Sequence, residues 1–407
     1  MTMPALDGMR VLDMTQYEAG TSATQALAWL GADVVKVERT VVGDPGRGVQ
    51  RGDGNSPYFI NWNSNKRSLA LDLGRPEGRE LLLKLVPKFD VFVENYGPGV
   101  VEKLDIGYEV MKQVNPAIIY ARLKGFGTFG PYAQFKSYDS VALAASGAFS
   151  VTGTSETPPM APGITVGDSG TGVQLALAIT AAYVQKLKTG EGQEIEISMQ
   201  EAVTYFMRTV VASRSDWGRE AAPRRKEHEM TPTDLFPCKP FGPNDYVFTM
   251  IVTTRMWDML CAAIGRPDLI DDPRFATGEL RRENGAELYP EIAAWTRERT
   301  KYEAMEELGA AGVPVSAVLD THDLFTDPHL AARNFIHTVQ HPTLGELPLM
   351  RWPPLMSKSD VPLVAAPLLG QHTEDVLRED LGLDEAEIAR LREAGLVESY
   401  VAAARAG

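Results

Sequence analysis

Cysteine is nearly missing from this chain: its 407 residues carry two, Cys238 and Cys261, with no CxxC spacing. A disulfide framework and a cysteine zinc site are therefore not indicated. Histidine is sparse as well. The six (His228, His322, His329, His337, His341, His372) show no HExxH or similar spacing, and none precedes residue 228. No metal is expected, and chemistry in the first half must proceed without an imidazole base. Positive charge is also short, 40 Lys and Arg against 54 Asp and Glu, for a net charge of −14. That balance argues against nucleic acid or an anionic membrane as main partner. No apolar run follows a basic start, and Gln and Thr interrupt the longest apolar helix, so neither a signal peptide nor a membrane span is expected. The expected compartment is the cytoplasm. No internal repeat or low-complexity tract occurs.

What remains is an ordinary globular composition, 44% hydrophobic and 23% charged, long enough for two domains. A short strand at 10–14, the loop TQYEAG, a helix at about 21–31 and a strand at 34–38 form a βαβ unit, which implies a parallel sheet. The pattern continues with a strand at 68–73, a helix from Pro76 to about residue 85, and strands at 90–94 and 118–123. The N-terminal half thus reads as an open α/β domain. Gly125-Phe-Gly-Thr-Phe-Gly130 matches GxGxxG after a strand, but Pro131 follows and no apolar helix opens, so the dinucleotide-binding context is incomplete. A strand at 194–198 and a helix at 199–214 lead to a polar linker at 214–233. An α-rich region follows, with a strand near 246–251 and helices around 255–264, 289–297 and 302–310. A hairpin at 337–350 and helices at 373–381 and 384–394 complete the chain.

The stretch APGITVGDSGTGVQLALAITAAYVQKLK, residues 161–188, stands at the centre of this plan. A Pro- and Gly-rich approach gives way to Gly167-Asp168-Ser169-Gly170, then to about five turns of helix apolar on nearly all sides, with Lys186 and Lys188 in its last turn. Such a helix is expected to be buried. Asp168 would sit where unpaired N–H groups and the positive helix end favour an anion, and should stay ionised at neutral pH. It is either the helix N-cap or a nucleophile. GDSG also resembles the nucleophile motif of chymotrypsin-like proteases, a reading excluded by the lack of an upstream histidine.

Several stretches together resemble one family: residues 8–47 (GMRVLDMTQYEAG through VVGDPGR), NSNKRSLALDL, VFVENYGPG, YARLKGFGTFGPY, the GDSG helix through EIEISMQEA, and APLLGQHTEDVL. They are similar, in register over nearly the whole chain, to the class III CoA-transferases, also called the CaiB/BaiF or formyl-CoA transferase family. The resemblance implies an open parallel Rossmann-like sheet domain, residues 1–213 completed by 336–407, plus a linker and smaller α+β domain at 214–335. It implies chains interlocked as a homodimer. It also implies that Asp168 is the nucleophile, forming an aspartyl anhydride and then an aspartyl-CoA thioester, with a CoA thioester as substrate and no permanently bound cofactor. The cap and nucleophile readings then become companions, and N–H groups of the helix start or the TQYEAG loop would serve the oxyanion.

Family position makes Arg39, Lys66, Arg67, Lys124 and Lys136 the expected cations for CoA phosphates, with Asn95 and Gly97 along the pantetheine path. Each cation can equally be a solvated surface charge. The sequence departs from formyl-CoA transferases at Glu18, where they carry Gln, and lacks their glycine-rich loop before Asp234. Those departures, with the apolar run 142–151, point to an acid bulkier than oxalate, with succinyl-CoA as donor. Two alternatives follow from the family: an α-methylacyl-CoA racemase, whose His is replaced here by Tyr138, and a silent subunit of a heteromeric transferase, which predicts a lost nucleophile. Tyr138 is expected to pack near the acyl group or donate to it.

Overall fold

The computed structural model describes residues 3–50 and 56–400. Six strands, β1 (Arg10–Met14), β2 (Asp33–Glu38), β3 (Arg67–Leu71), β4 (Val91–Glu94), β5 (Ile119–Lys124) and β6 (Glu194–Ser198), form a parallel sheet in the order β3-β2-β1-β4-β5-β6. The sheet is mixed rather than wholly parallel, because the strand Val397–Glu398 adds antiparallel to the outer edge of β3. Strands covered on both faces read as near-continuous apolar runs, as β1 and β4 do. The two-residue period of a strand sends alternate side chains to opposite faces. Leu12, Val35, Phe92 and Tyr120 join one core with Leu82 and Leu377. Val11, Val34, Val91 and Ile119 join the other with Leu27, Leu175 and Ile179.

That second core is where the central helix, Ser169–Thr189, crosses the first helix, Ala19–Trp29. Gly172 permits the crossing: a Cβ there would lie 1.9 Å from Ser22 Oγ and 2.6 Å from Ala19 O. The helix is not buried all round, contrary to the expectation from its composition. Thr171, Leu175, Ile179 and Ala182 face the core, whereas Val173, Leu177, Val184 and Leu187 are exposed. Within one chain only one face of it has a partner. The helix expected at 199–214 is two, Met199–Phe206 and Arg208–Arg214, because Met207 N–H turns back to Thr204 O in a tighter turn.

The chain divides into two compact units. The larger comprises the stretches up to Thr152, from Met160 to Ala222 and from Phe335 onward. The smaller comprises Gly153–Pro159 and Pro223–Asn334. It has a three-stranded antiparallel sheet (Leu235–Pro237, Tyr246–Thr249, Val315–Ala317) beside the helices Thr254–Ala263, Gly285–Thr296 and Lys301–Ala310. Phe236, Trp257, Ile292 and Leu308 fill its core with the buried thiols Cys238 and Cys261. Among the described residues no helix is long and apolar enough to cross a membrane.

Candidate active site

In open α/β sheets ligands lie beyond the carboxyl ends of the strands, where the strand order reverses. Here that point falls between β1 and β4. A cavity of about 370 Å³ opens there, its wall built from the segments that leave β1, β4 and β5 together with Asp168 and Met199. The segment after β5, residues 125–137, is turns and bends without a helix, so GxGxxG has no dinucleotide-binding context.

The β1 exit is fixed from two sides. Asn95, after β4, accepts Gln16 N–H at 2.7 Å and donates to Gln16 O at 2.9 Å, a paired clamp between two strand ends. Tyr17 adopts a left-handed backbone (φ 58°), a conformation uncommon outside glycine. Its N–H donates to Asp44 Oδ1 at 3.1 Å, and Asp44 Oδ2 lies 2.9 Å from the fully buried Lys36 Nζ. Lys36 also donates to Thr15 O at 2.7 Å, so one buried ammonium ties β2 to the loop that presents Glu18.

Three carboxylates converge on the start of the central helix. Asp139 Oδ1 accepts Asp168 N–H at 3.1 Å, and Thr165 Oγ1 donates to Glu18 Oε1 at 2.5 Å. Gly167 lets the chain pass this close, since a Cβ would sit 2.7 Å from Asp139 O. Asp168 is 8% exposed. Burial, then the charges of Glu18 and Asp139, push its carboxyl up to about 8. Burial and Asp139 push Glu18 up to about 7, against the opposing hydrogen bond from Thr165. Burial raises Asp139 too, while the Asp168 and Gly167 amides hold it back.

Two expectations about Asp168 are therefore corrected. Its side chain caps nothing, because its own backbone is already helical (φ −82°, ψ −69°) and the Ser169 and Gly170 amides donate to Thr165 O and Val166 O. Its carboxyl is not held ionised at neutral pH, because burial and then the charges of Glu18 and Asp139 push it up to about 8.

Of the other expected site residues, Asn95, Gly97, Lys124, Lys136 and Tyr138 line the cavity. Lys124 is paired to the buried Glu94 at 2.8 Å and donates to Tyr96 O at 2.7 Å. Lys136 is exposed at the wall, and Tyr138, 60% exposed, sets its ring edge-on to Tyr17 at 5.9 Å. Arg39 is exposed after β2 and outside this wall. Lys66 and Arg67 do not reach the cavity. Lys66 Nζ is buried among Asp13, Thr24, Asn63 and Thr21 O at 2.8–3.0 Å. Arg67 is spent on Asp33 and Glu379. The apolar run 142–151 packs Leu143 and Ala148 against Val203 and lines none of the cavity. Sequence reasoning passed over Tyr17, Gln16, Phe135 and the anchoring role of Asp139. The signal for Asp139 was its place beside Tyr138 in the KSYD segment.

No histidine stands among the lining residues, where racemase chemistry would need one beside an acidic partner. Among the described residues no group of three His, Cys, Asp or Glu side chains is disposed to hold a metal.

Known proteins resemble this chain over nearly its whole length. The sequence model of CoA-transferase family III matches residues 6–373. The formyl-CoA:oxalate CoA-transferase of Streptomyces coelicolor is 40% identical over 98% of this chain and 100% of its own length. That of Rhodopseudomonas palustris strain BisA53 is 36% identical, with 97% of each covered. The crystal structure of a CaiB/BaiF family protein from Brucella suis superposes with a TM-score of 0.82 at 29% identity, covering 93% of this chain and 100% of that one. The chain belongs to CoA-transferase family III, enzymes that pass CoA from an acyl-CoA donor to a carboxylic acid through an aspartate nucleophile.

Proposed function

We propose that Asp168 is that nucleophile. The observation that carries this reading is a buried carboxylate, held through its own amide by Asp139, in the wall of the switch-point cavity. Asp168 attacks the donor thioester carbonyl, the C–S bond breaks, and an acyl-aspartyl anhydride and CoA thiolate result. The thiolate attacks Asp168 Cγ, the donor acid leaves, and the aspartyl-CoA thioester remains. An acceptor carboxylate then reverses both steps. Burial and the charges of Glu18 and Asp139 hold the Asp168 carboxyl up at about 8, so attack requires Asp168 to give up its proton. The first-turn amides of Ala19 and Gly20, which have no intrahelical acceptor, then face the oxyanion. Tyr138 packs against the acyl group. Lys136 and Arg39 meet the CoA phosphates, and Asn95, Gly97 and Lys124 flank the pantetheine.

CoA binding belongs to the domain of residues 1–213 and 336–407, with 214–335 as linker and small domain. The functional unit is an interlocked homodimer in the cytoplasm. In support, Val173, Leu177, Val184 and Leu187 form an exposed apolar stripe on the central helix, which a second copy would cover. Native mass spectrometry tests this: a mass of two copies is expected, and a heteromer in which this chain pairs with another would overturn it.

The test is Asp168→Ala, which should abolish transfer while the far-UV spectrum is unchanged. A hydroxylamine quench of wild-type protein with donor should leave a hydroxamate on Asp168, and retained transfer in the variant would sink the assignment. Deuterium at the substrate α-carbon with Asp168 unmodified would mean racemisation.

A further inference from the structure

The cavity wall is unevenly made. Behind the lining residue Asp168 the charge is negative, with buried Glu18 tied to Thr165 and Asp139 accepting the Asp168 amide. Two cations stand in the wall: Lys124, already neutralised by Glu94, and Lys136, exposed. The rest is largely apolar and aromatic. Tyr17 and Tyr138 meet edge to face at 5.9 Å. Phe135 stacks on Tyr132 at 5.4 Å and stands edge-on to Phe126 at 6.3 Å, with Met199 and Ala133 also in the wall.

An acceptor must place one carboxylate oxygen on Asp168 Cγ. That bond forms as the C–S bond of the aspartyl thioester breaks and CoA thiolate leaves, after which the thiolate attacks the acceptor's acyl carbon and returns Asp168 as carboxylate. In a short diacid the second carboxylate is carried only a few bonds away, into the field of Glu18 and Asp139, where like charges repel strongly in a poorly hydrated site. An aromatic body meets rings it can pair with edge to face or offset. We infer that the acid handled here is a monocarboxylate with an apolar, ring-bearing body, and that Glu18 is the residue that turns a second carboxylate away. This rests on Asp168 as nucleophile and names what reaches it. It departs from succinate as well as from oxalate.

The reaction is reversible, so the CoA ester of each candidate acid can be offered as donor to the full-length protein. We would present 3-phenylpropionyl-CoA, oxalyl-CoA and succinyl-CoA with hydroxylamine, follow thiol release above the Asp168→Ala background, and map the hydroxamate by peptide mass spectrometry. The aromatic ester should load Asp168 at least about tenfold faster than either diacid ester, a gap of one decade in rate. Glu18→Gln should narrow that gap by raising oxalyl-CoA loading, and Tyr138→Ala should narrow it by slowing the aromatic ester. Equal or faster loading of Asp168 from a diacid ester, or none from the aromatic one, overturns the inference and leaves Asp168 as nucleophile if any ester loads it. An unchanged gap in a folded Glu18→Gln protein removes Glu18 from the selection. Thiol release as fast in Asp168→Ala as in wild type overturns the nucleophile itself.

Discussion

Asp139 accepts the main-chain N–H of Asp168 at 3.1 Å while its charge opposes ionisation of the same residue's side chain. One carboxylate thus both aims the nucleophile and holds back its charge. Asp139→Asn keeps an acceptor oxygen and removes the charge, so it should preserve the fold and lower the pH at which transfer reaches half its maximum. Asp139→Ala loses the anchor, and kcat should fall by about tenfold or more, since small misplacement of a reacting group is costly. Steady-state kinetics against pH separates the two variants.

The acid limb of the wild-type profile should report the Asp168–Glu18 pair. Transfer should rise with pH through the range of about 7 to about 8 as the pair gives up its proton. Removing the Glu18 charge by Glu18→Gln takes away a cause that raises Asp168, so the limb should move to lower pH. A limb that stays in place in that variant contradicts the coupling.

Stability should carry the opposite signature. The Asp168 carboxyl is raised from 3.8 to about 8 in the folded chain, so between those values the folded state binds more protons than the unfolded one. Its contribution is fully present below about 4 and is lost as pH rises through about 8. Asp168→Asn should therefore melt higher than wild type by a margin that grows from pH 5 to pH 8.5. Thermal scans at the two pH values test the trend.

Lys66 and Lys136 should behave differently. Lys66→Met strands the buried Asp13, which Lys66 and Lys36 otherwise hold down at about 2 against burial. The expected loss is about 3–5 kcal/mol, the usual cost of breaking a buried pair. Lys136→Ala should leave the melting curve in place and raise the KM for the CoA ester. Urea titration with initial-rate kinetics distinguishes them.

Gly172→Ala tests the helix crossing. A Cβ 1.9 Å from Ser22 Oγ cannot be accommodated without moving the two helices apart. Overpacking of this kind costs about 1–3 kcal/mol, visible as a lower urea midpoint.

Much of the sheet was legible because buried parallel strands are short apolar runs bounded by turns, as β1 and β4 show, and because the edge strand β6 alternates as EIEIS. Val397–Glu398 was not, since two residues carry no period. Gly153–Pro159 joins the smaller unit through a bridge from Thr154 to Arg225, a pairing that local pattern does not encode. At the site, GDSG located Asp168, but its protonation depends on Glu18 and Asp139, which tertiary packing brings beside it. Lys66 read as a free cation because Asp13 and Thr24, its partners, lie far off in sequence.

Val397–Glu398 pairs with Leu71 and Ala70, and of all the described strands it is the last to be synthesised. His372 and Thr373 already take the Ser68 and Ala70 amides, so what this strand adds is a partner for the backbone margin of β3 at Ala70 and Leu71. The last open margin of the sheet is thus closed by a segment far downstream in the chain, so protection of the sheet edge from stray strands depends on the return of that distant segment to β3.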